Sequence, residues 1–381
     1  MQIFRSNSGS PRLLSLFMSF DSACKFKQLR FEGIQAARAF ERFNMQTDLS
    51  SFIFHQPTGA PKPQPYYSFD SGSWTTVQPS SASQTTPRSS QTSKESHFSS
   101  LRLLSWNIDV LIPFAEPRMS AALNYLSSLV SNVPVSQPIV IFLQEMGVSD
   151  LAQIQAAPWI RQRFYVTDTS SAFFGSSLYG TTTLVDRRLK IVDVFRVPFE
   201  SNFQRDGFFV DLQLDGSSQV LRLCNVHLES LVADPPLRPK QLTLASKYMH
   251  QDVVYASILA GDCNAIQPFD RKLHSDNGLR DAYLELGGQE DSEEGYTWGY
   301  QVPERLSKRF GPSRMDKVMF CGNIEIKSLE RIGVGIKVED QQTRKEMIDA
   351  GQVEFVTDHY GLMAEINIVG AAAASLEDGQ R

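Results

Sequence analysis

Side chains that could hold a metal ion or move protons follow several short apolar runs of this sequence. The interior of a strand requires apolar residues, whereas its last residue can project a ligand into a cleft while the strand holds it rigid. Carboxylates, amides and imidazoles in such positions could bind an oxygen-preferring cation and activate water. The runs end in Asn107, in Glu145, in Asp262 and Asn264, in His227 to Ser230, and in Asp358 and His359.

Each of these segments, taken alone, has a simpler interpretation. A carboxylate after a strand is usually a helix cap or part of a solvated turn, and a single His such as His227 is more often a packed residue. Their joint occurrence favours chemistry. Phosphodiester hydrolysis needs an in-line water, a Lewis acid and donors for the equatorial oxygens. The set offers Asp262 for the first, Glu145 for the second, and Asn264 with His359 for the third.

In this order and spacing the segments resemble the endonuclease/exonuclease/phosphatase superfamily, and within it the 5′-tyrosyl-DNA phosphodiesterases. The resemblance covers about residues 101 to 369 and leaves the first hundred residues unexplained. The motifs that carry it are Ser-Trp-Asn-Ile-Asp109, Leu-Gln-Glu-Met146, His-Leu-Glu-Ser230, Gly-Asp-Cys-Asn264, Tyr-Thr-Trp298, Arg-Met-Asp316 and Thr-Asp-His-Tyr-Gly-Leu362.

The resemblance implies an α/β fold of two packed β-sheets flanked by helices, a four-layer sandwich like that of deoxyribonuclease I. Its active site would lie at one edge of the sandwich. Glu145 would bind Mg²⁺, with Mn²⁺ as an alternative, and Asn107 would lie beside it. Mg²⁺ prefers oxygen ligands and keeps several waters, so few protein carboxylates suffice.

The same resemblance implies roles for the remaining site residues. Asp262 would deprotonate the attacking water, and Asn264 would hold a phosphate oxygen. His359 would stabilise charge on the phosphoryl group, oriented by Asp358 or by Asp316. The residues expected to line the phosphate pocket or contact the substrate are His227, Ser230, Tyr179, Trp298 and Arg314. Trp298 has two open interpretations, a platform for a terminal base and a core tryptophan.

One position departs from the family pattern. Gly261 to Gln267 reads Gly-Asp-Cys-Asn-Ala-Ile-Gln, and Ile266 occupies the place of the family's DNA-phosphate-contacting arginine. The departure weakens the tyrosyl-DNA interpretation without touching the hydrolytic residues. Basic residues that could substitute are Arg271, Lys272, Arg305, Lys308 and Arg309, although a solvated charged loop explains them equally well.

Apolar periodicity predicts the elements that position these residues. Many strands with interspersed helices predict one α/β catalytic domain over residues 101–369. Helices are expected at about 118–131, 150–164 and 239–252. Strands are expected at 101–107, 138–144, 180–185, 190–196, 207–214, 219–227, 253–260, 314–320 and 359–368.

The first hundred residues read differently. Residues 78–100 are almost entirely Ser, Thr, Gln and Pro, which predicts a disordered linker. Before it, Pro65 to Trp74 is an aromatic stretch with too little around it for a core, so residues 1–100 are expected to be mostly disordered. The basic, Ser-rich start has two interpretations, a disordered tail and a mitochondrial transit peptide. Residues 370–381 are expected to form a flexible tail.

The amino-acid composition excludes only a few classes of function. A net charge of −5 argues against a broadly basic nucleic-acid binder, so a phosphate-bearing substrate must be held by local charge or a metal. The longest apolar runs are too short to span a membrane, and no membrane association is expected. The four cysteines lie far apart without a Cys-x-x-Cys pair, which excludes a zinc ribbon.

Three functions remain open on the sequence. The leading one is removal of a tyrosyl or similar adduct from the 5′ end of single-stranded DNA, by a monomeric enzyme acting in DNA repair in the nucleus, with the mitochondrion and cytoplasm as alternatives. A second keeps the catalytic core but acts on RNA, abasic DNA, or an inositol or sphingolipid phosphodiester. A third is an inactive scaffold. In each case residues 1–100 are a candidate docking segment for a protein partner.

Overall fold

A computed structural model describes residues 59–79, 98–110, 112–176, 178–214 and 217–370. The expected flexible tail from residue 371, the first 58 residues and most of the 78–100 linker lie outside the described residues. Among the described residues, no helix has both the length and the apolar character needed to cross a membrane.

Two mixed β-sheets form the centre of the fold. The eight-stranded sheet has the order β14 (Ile324–Ile332), β15 (Gly361–Ile368), β4 (Ser100–Asn107), β5 (Ile139–Met146), β7 (Gly180–Asp186), β6 (Phe164–Val166), β2 (Tyr66–Asp70) and β3 (Ser73–Val77). The seven-stranded sheet has the order β1 (Lys62–Pro63), β8 (Ile191–Pro198), β9 (Asp206–Gln213), β10 (Val220–His227), β11 (Val254–Asp262), β13 (Asp316–Gly322) and β12 (Arg280–Asp281).

Eight helices lie among the described residues. They are α1 (Ala115–Asn132), α2 (Val148–Ala156), α3 (Pro158–Arg163), α4 (Arg238–Met249), α5 (Leu273–Asp276), α6 (Ala282–Glu285), α7 (Glu304–Phe310) and α8 (Gln341–Asp349). Two 3₁₀ turns lie at Ser171–Phe173 and Pro268–Arg271.

Side-chain alternation along the strands creates the layers. On β4, Leu101 and Leu103 join the core between the two sheets, whereas Leu104 and Trp106 join the cluster that includes Met119 of α1. A third cluster packs α4 against the outer face of the seven-stranded sheet. Successive strand residues point to opposite faces, so each sheet contributes to two apolar layers. The expected four-layer sandwich of two packed sheets flanked by helices is confirmed.

The helix expected at 150–164 is wrong as a single element. The structure has α2 and α3, separated at Ala157, with Pro158 at the first position of the second helix. Proline disfavours helical backbone in the residue before it, and Ala157 is extended, with φ −67° and ψ 118°. Strand β14 and helix α8 were not predicted. β14 alternates charged and apolar residues over only half its length, and α8 has a single buried residue, Met347.

The expectation that Pro65 to Trp74 lacks a core is also wrong. Within this segment β2 pairs with β6 of the eight-stranded sheet, and just before it β1 pairs with β8 of the seven-stranded sheet. Tyr66 is buried in the core between the sheets, and the Trp74 indole donates to the carbonyl of Gln155. Residues 62–77, which we call the strap, therefore hold the two sheets together. A segment this short contains too few apolar residues to reveal a core that other segments supply.

Gly261 is required where β11 approaches its parallel neighbour β10. Its φ is +146°, and a Cβ built there would lie 1.9 Å from the carbonyl oxygen of Val226. We expect Gly261→Ala to lower the free energy of unfolding by at least about 1–3 kcal/mol, the usual cost of such strain. Chemical denaturation followed by circular dichroism measures the change. Gly287→Ala is the matched control, since Gly287 also has positive φ but no heavy atom near its Cβ position. Equal losses in both variants would contradict the steric argument.

Candidate active site

The site lies where one edge of each sheet meets the other. Parallel strands β10 and β11 end together, with His227 in register with Asp262, and antiparallel β13 begins opposite Asp262 with Asp316. In the other sheet, β4 ends at Asn107 beside the parallel strand β5. Because the carboxyl ends of parallel neighbours share one edge, residues distant in sequence converge there. Those from β10, β11 and β13 face those from β4 and β5.

Glu145 reaches the site through an irregularity in its strand. The pairing of β5 with β7 shifts register between Leu143 and Met146, and Glu145 has a φ of +55°. Left-handed backbone is uncommon outside glycine and is concentrated at functional sites. A bulge re-aims a side chain that regular alternation would send elsewhere. Here it directs the Glu145 carboxylate toward Asn107 and Asp262.

Asn107 holds the two central carboxylates together. Its Nδ2 donates to Glu145 Oε1 at 3.3 Å and to Asp262 Oδ2 at 3.0 Å, while its Oδ1 accepts from the backbone N of Asp109 at 2.9 Å. Asn107 is fully buried, so this orientation is fixed. The amide oxygen keeps a second lone pair, which is compatible with the predicted place of Asn107 beside a metal ion.

Asp262 is oriented by hydrogen bonds to both oxygens. Its Oδ1 accepts from the backbone N of Asn264 at 2.8 Å, and its Oδ2 accepts from Asn107. Burial raises the pKa of Asp262 above its ordinary value; the charge of His359 acts in the opposite direction. A fixed carboxylate with a raised pKa has the properties of a general base.

His359 forms an ion pair with Asp316. Nδ1 of His359 lies 2.8 Å from Asp316 Oδ2, and its Nε2 lies 3.7 Å from Asp262 Oδ2 and 3.8 Å from Asp358 Oδ1. Burial alone would lower the pKa of His359, but the carboxylates of Asp316, Asp262 and Asp358 outweigh it and raise the pKa well above the ordinary value. Of the two orienting residues considered from sequence, Asp316 makes the close contact.

Asp358 has a different neighbour. Its Oδ2 accepts from Trp298 Nε1 at 2.7 Å, and Trp298 also forms β-bridges with Ser313 and His359. The indole is half-buried, with its edge against the exposed Phe310. Trp298 thus lies beside the catalytic cluster with part of its ring accessible. This placement is compatible with the predicted stacking platform.

Arg205 is a site residue that the sequence patterns did not reveal. Its Nη1 lies 2.7 Å from His227 Nδ1, its Nη2 donates to Ser230 Oγ at 2.9 Å, and its guanidinium lies over the Tyr179 ring. Arg205 immediately precedes β9, which is antiparallel to β10, so it lies at the edge where His227 ends β10. That pairing of two predicted strands is the signal that could have identified it.

His227 is neutral in this environment. Burial, followed by the positive charges of Arg205 and His359, holds its pKa well below the ordinary value. Since Arg205 donates to Nδ1, the ring proton is on Nε2, which lies 3.4 Å from Asp262 Oδ2. His227 therefore presents a hydrogen-bond donor to the site.

Asn264 and Ser230 lie next to each other in the site. Asn264 Nδ2 donates to the carbonyl of Leu228 at 3.1 Å and to Ser230 Oγ at 3.3 Å, and Asn264 has a φ of +47°. The predicted residues of the phosphate pocket are thus adjacent. Arg205 and Asn264 both contact the Ser230 hydroxyl, so this hydroxyl links Asn264 to the arginine beside His227.

The donor set fits a divalent cation. One ligand atom from each of Glu145, His227 and Asp262 lies within 4.8 Å of the others, and Asp262, Asp316 and His359 form a second such group. His227 is the weaker ligand of the first group, because the proton on Nε2 opposes coordination. His359 is cationic, which disfavours the second group. Carboxylate and amide oxygens of Glu145, Asp262 and Asn107 remain, the ligands that Mg²⁺ and Mn²⁺ prefer.

Cation affinity should fall steeply in acid. Burial raises the pKa of Glu145 to about 7; Arg205 counteracts this and the charge of Asp358 adds to it. A carboxylate must lose its proton to bind a cation, so at pH 5, two units below that pKa, the apparent Mg²⁺ affinity should be about 100-fold lower than at pH 8. Isothermal titration calorimetry at the two pH values measures this. Glu145→Gln should bind weakly at both, and equal wild-type affinity at pH 5 and pH 8 would refute the expectation.

Arg314, expected from sequence to contact the substrate, is buried in a cluster of ion pairs. It is 4% exposed, and its guanidinium makes two hydrogen bonds to the Asp281 carboxylate, at 3.0 and 2.9 Å. It also contacts Glu290, which pairs with the buried Lys317. Two carboxylates occupy its terminal nitrogens, so the expected substrate contact is wrong. A motif places Arg314 near Asp316 but does not tell which way the side chain points.

The surface around Ile266 is apolar. Ile266 is 40% exposed, and Leu231 and Val232, which follow Ser230, are 65% and 67% exposed. The segments that contain Leu231 and Ile266 are held together by a buried ion pair between Arg238 and Asp270. Arg238 donates to the Leu231 carbonyl, and Asp270 accepts from the backbone N of Ile266. Of the basic residues considered as substitutes, Arg271 pairs with Asp291, Lys308 with Glu304, and Arg309 lies over Phe310.

Comparisons with known proteins agree with this geometry. A sequence model described as the Endonuclease/Exonuclease/phosphatase family matches residues 104–359, more than half of the chain. Tyrosyl-DNA phosphodiesterase 2 of Xenopus tropicalis is 26% identical over 285 residues, which cover 72% of this chain and 67% of that protein.

Solved structures show the same fold. Humanized D. rerio TDP2, changed by 14 mutations, has a TM-score of 0.54 at 21% identity and covers 71% of this chain and 100% of its own. D. rerio TDP2 complexed with single strand DNA product has a TM-score of 0.53 at 20% identity, with the same coverage. The resemblance inferred from sequence and the expected class of enzyme, a metal-dependent phosphodiesterase or nuclease-type hydrolase, are confirmed. The chain belongs to the endonuclease/exonuclease/phosphatase family.

Proposed function

We propose that this enzyme hydrolyses the phosphodiester that joins a tyrosyl or similar adduct to a DNA 5′ end, leaving a 5′-phosphate. The strongest support is that a general base (Asp262), a cationic imidazole (His359) and a carboxylate that could bind a cation (Glu145) lie close together. Asp262 lies 3.7 Å from His359 and, through Asn107, is linked to Glu145. The similarity to tyrosyl-DNA phosphodiesterase 2 supports the choice of adduct.

Asp262 accepts a proton from the attacking water in this mechanism. Its two oxygens are fixed by the Asn264 N and by Asn107, so the carboxylate does not rotate away from the water. Its raised pKa makes it a stronger base than an exposed aspartate. Asp262 keeps this proton while the water oxygen bonds to phosphorus. The bond between phosphorus and the tyrosyl oxygen, in line with the attacking water, breaks, and its electron pair stays on the departing oxygen.

His359 stabilises the charge that develops on the phosphoryl oxygens. Asp316 occupies Nδ1, so the Nε2 proton of the imidazolium points to the centre of the site. His227 adds a neutral donor, and Asn264 and Ser230 provide further polar groups for a nonbridging oxygen. A divalent cation at Glu145 would supply Lewis-acid polarisation of a phosphoryl oxygen.

The test uses a single-stranded oligonucleotide with a 5′-phosphotyrosine, Mg²⁺ and the full chain. Release of a 5′-phosphate end, abolished by EDTA and by Asp262→Asn, would support the proposal. Hydrolysis of bis-p-nitrophenyl phosphate without turnover of the oligonucleotide would refute the tyrosyl substrate while leaving the phosphodiesterase assignment in place.

The exposed apolar residues Leu231, Val232 and Ile266 favour a second candidate, a smaller or less charged phosphodiester such as an inositol or sphingolipid head group. Dense negative charge along a nucleic-acid strand is normally met by cations. Ile266→Arg discriminates the two. If the natural substrate is a DNA strand, the variant should raise kcat/KM for a long oligonucleotide more than for a tyrosyl mononucleotide, and added salt should remove the gain. If a small phosphodiester is the substrate, kcat/KM should stay unchanged for both the long oligonucleotide and the tyrosyl mononucleotide.

We further propose that the enzyme acts in DNA repair in the nucleus, as a monomer, with Mg²⁺ or Mn²⁺ as its cation. Fluorescence microscopy of the tagged full chain tests the compartment against mitochondrion and cytoplasm. Sedimentation tests the monomer. A pull-down comparing the full chain with one lacking residues 1–58 tests the proposed partner-docking role of the N-terminal region.

A further inference from the structure

A small cleft between the two sheets includes Asp316 in its lining. One wall comes from β13 and the segment before it, including Arg314 and Val318, and the other from β14 and β15, including Leu329 and Leu362. Its mouth is marked by exposed Glu330. The cleft has a volume of about 70 Å³, whereas one water requires about 10–15 Å³ in the same measure. It therefore has room for ordered water.

Two buried polar atoms on residues of this cleft have no hydrogen-bond partner within the described part of the chain. They are Asp316 Oδ1 and Arg314 Nε, on side chains that are 1% and 4% exposed. Leaving such an atom unpaired costs about 1–3 kcal/mol. One atom is an acceptor and the other a donor. A single water satisfies both by accepting from Arg314 Nε–H and donating to Asp316 Oδ1.

We propose that the cleft binds an ordered water that links Arg314 to Asp316, and that Arg314 is thereby a positioning residue for His359. The role of His359 rests on the proposed function, whereas the water site does not. Arg314 is itself immobile, because Asp281 and Glu290 occupy its terminal nitrogens. Its Nε, which has no partner among the described residues, is therefore held in one position.

The link acts by fixing the plane of the Asp316 carboxylate. Oδ2 of Asp316 bonds His359 Nδ1 at 2.8 Å, and the backbone N of Asp316 donates to Thr297 Oγ1 at 3.0 Å. With one oxygen bonded, the carboxylate can still rotate about its Cβ–Cγ bond. With the second oxygen bonded to water, rotation breaks two hydrogen bonds. The His359 ring, and the direction of its Nε2–H, are then fixed as well.

Water fits this cleft better than a metal ion. Arg314 is part of its lining, and a guanidinium repels a cation. An inorganic anion is equally disfavoured, since the lining also includes the carboxylates of Glu294, Asp316 and Glu330. A neutral molecule with both donor and acceptor capacity matches the two groups, and water is small enough.

The experiment fills the cleft without altering a polar group. Leu329→Phe places a ring where the water would lie, and Val334→Phe adds the same ring at an exposed position away from the cleft. Hydrolysis of bis-p-nitrophenyl phosphate with Mg²⁺ is measured on the full chain. We expect Leu329→Phe to lower kcat by about 10- to 100-fold with unchanged KM, the usual cost of a misdirected catalytic group. Val334→Phe should match the wild type.

Two further measurements decide the proposal if Leu329→Phe does not fold or if the enzyme proves inactive. The first is the proton NMR signal of His359 Nδ1–H, assigned by its loss in His359→Asn. Arg314→Lys, which keeps a cation but removes the Nε–H, should shift or broaden it. The second is a crystal structure of the wild type. Density for a water between Arg314 Nε and Asp316 Oδ1 supports the site; its absence, or an unmoved NMR signal, would overturn it. Wild-type inactivity with the water present would refute only the proposed function.

Discussion

Replacement of Asp262 by Asn is expected to lower kcat by about 10²- to 10⁴-fold, the contribution usual for a general base. The amide is nearly isosteric, so it keeps an oxygen for the Asn264 N–H, but it cannot accept a proton from water. Asp262 is 1% exposed and its pKa is raised, so its basicity is a product of the fold. Single-turnover kinetics with a 5′-phosphotyrosyl oligonucleotide or bis-p-nitrophenyl phosphate measures the loss.

Asp349→Asn is the matched control, since Asp349 is an exposed acid at the end of α8. It should retain wild-type kcat. Circular dichroism and a thermal melt of Asp262→Asn should show a folded protein. Residual activity within tenfold of the wild type would assign the base to another residue.

Replacement of Arg196 by Met should lower the free energy of unfolding by about 3–5 kcal/mol, the cost of removing one partner from a buried ion pair. Arg196 is 3% exposed and is paired with Asp168 at 3.1 Å and Asp206 at 3.3 Å. Its Nε also donates to Gln64 of the strap at 2.9 Å. Without the guanidinium, two buried carboxylates lose their counterion and the strap loses a contact.

Arg271→Met provides the comparison. Arg271 forms an ion pair of 2.9 Å with Asp291, but both side chains are more than half exposed. Exposed pairs contribute about 0–1 kcal/mol, so this variant should unfold almost as the wild type does. Urea denaturation followed by tryptophan fluorescence measures both. Similar losses for Arg196→Met and Arg271→Met would show that burial does not decide the stability of these pairs.

The candidate site was predicted where residues end regular strands. Asn107, His227 and Asp262 end β4, β10 and β11, and apolar runs followed by polar residues marked all three. An apolar run followed by a polar residue marks where a strand ends, but it does not tell which way the side chain points. Glu145 reaches the cluster through a bulge, and Arg314 points away from it into Asp281. Both directions depend on neighbouring strands that the local sequence does not specify.

The elements that could be predicted from sequence are those whose buried residues follow one another without interruption along the chain. Strands such as β5 and β11 are apolar throughout, so each is evident in its own sequence. The strap was missed because Tyr66 is buried, and Trp74 partly buried, against partners about 80–100 residues later in the chain, among them Tyr165 and Gln155. Arg205 was missed for a related reason. Its partner His227 lies on an adjacent strand, and a single arginine before a strand carries no motif.

The strap also imposes an order of assembly during synthesis. Lys62 pairs with Arg196, which is 134 residues later, so at about 5–20 residues per second the ribosome releases the second strand roughly 7–27 s after the first. Until β6 is synthesised, β2 can pair only with β3 in its own sheet, and a chaperone that binds nascent chains would find its apolar side accessible. Of the site residues described above, His359 is the last in the sequence. The hydrolytic centre therefore cannot form before the catalytic domain has been synthesised as far as the start of β15.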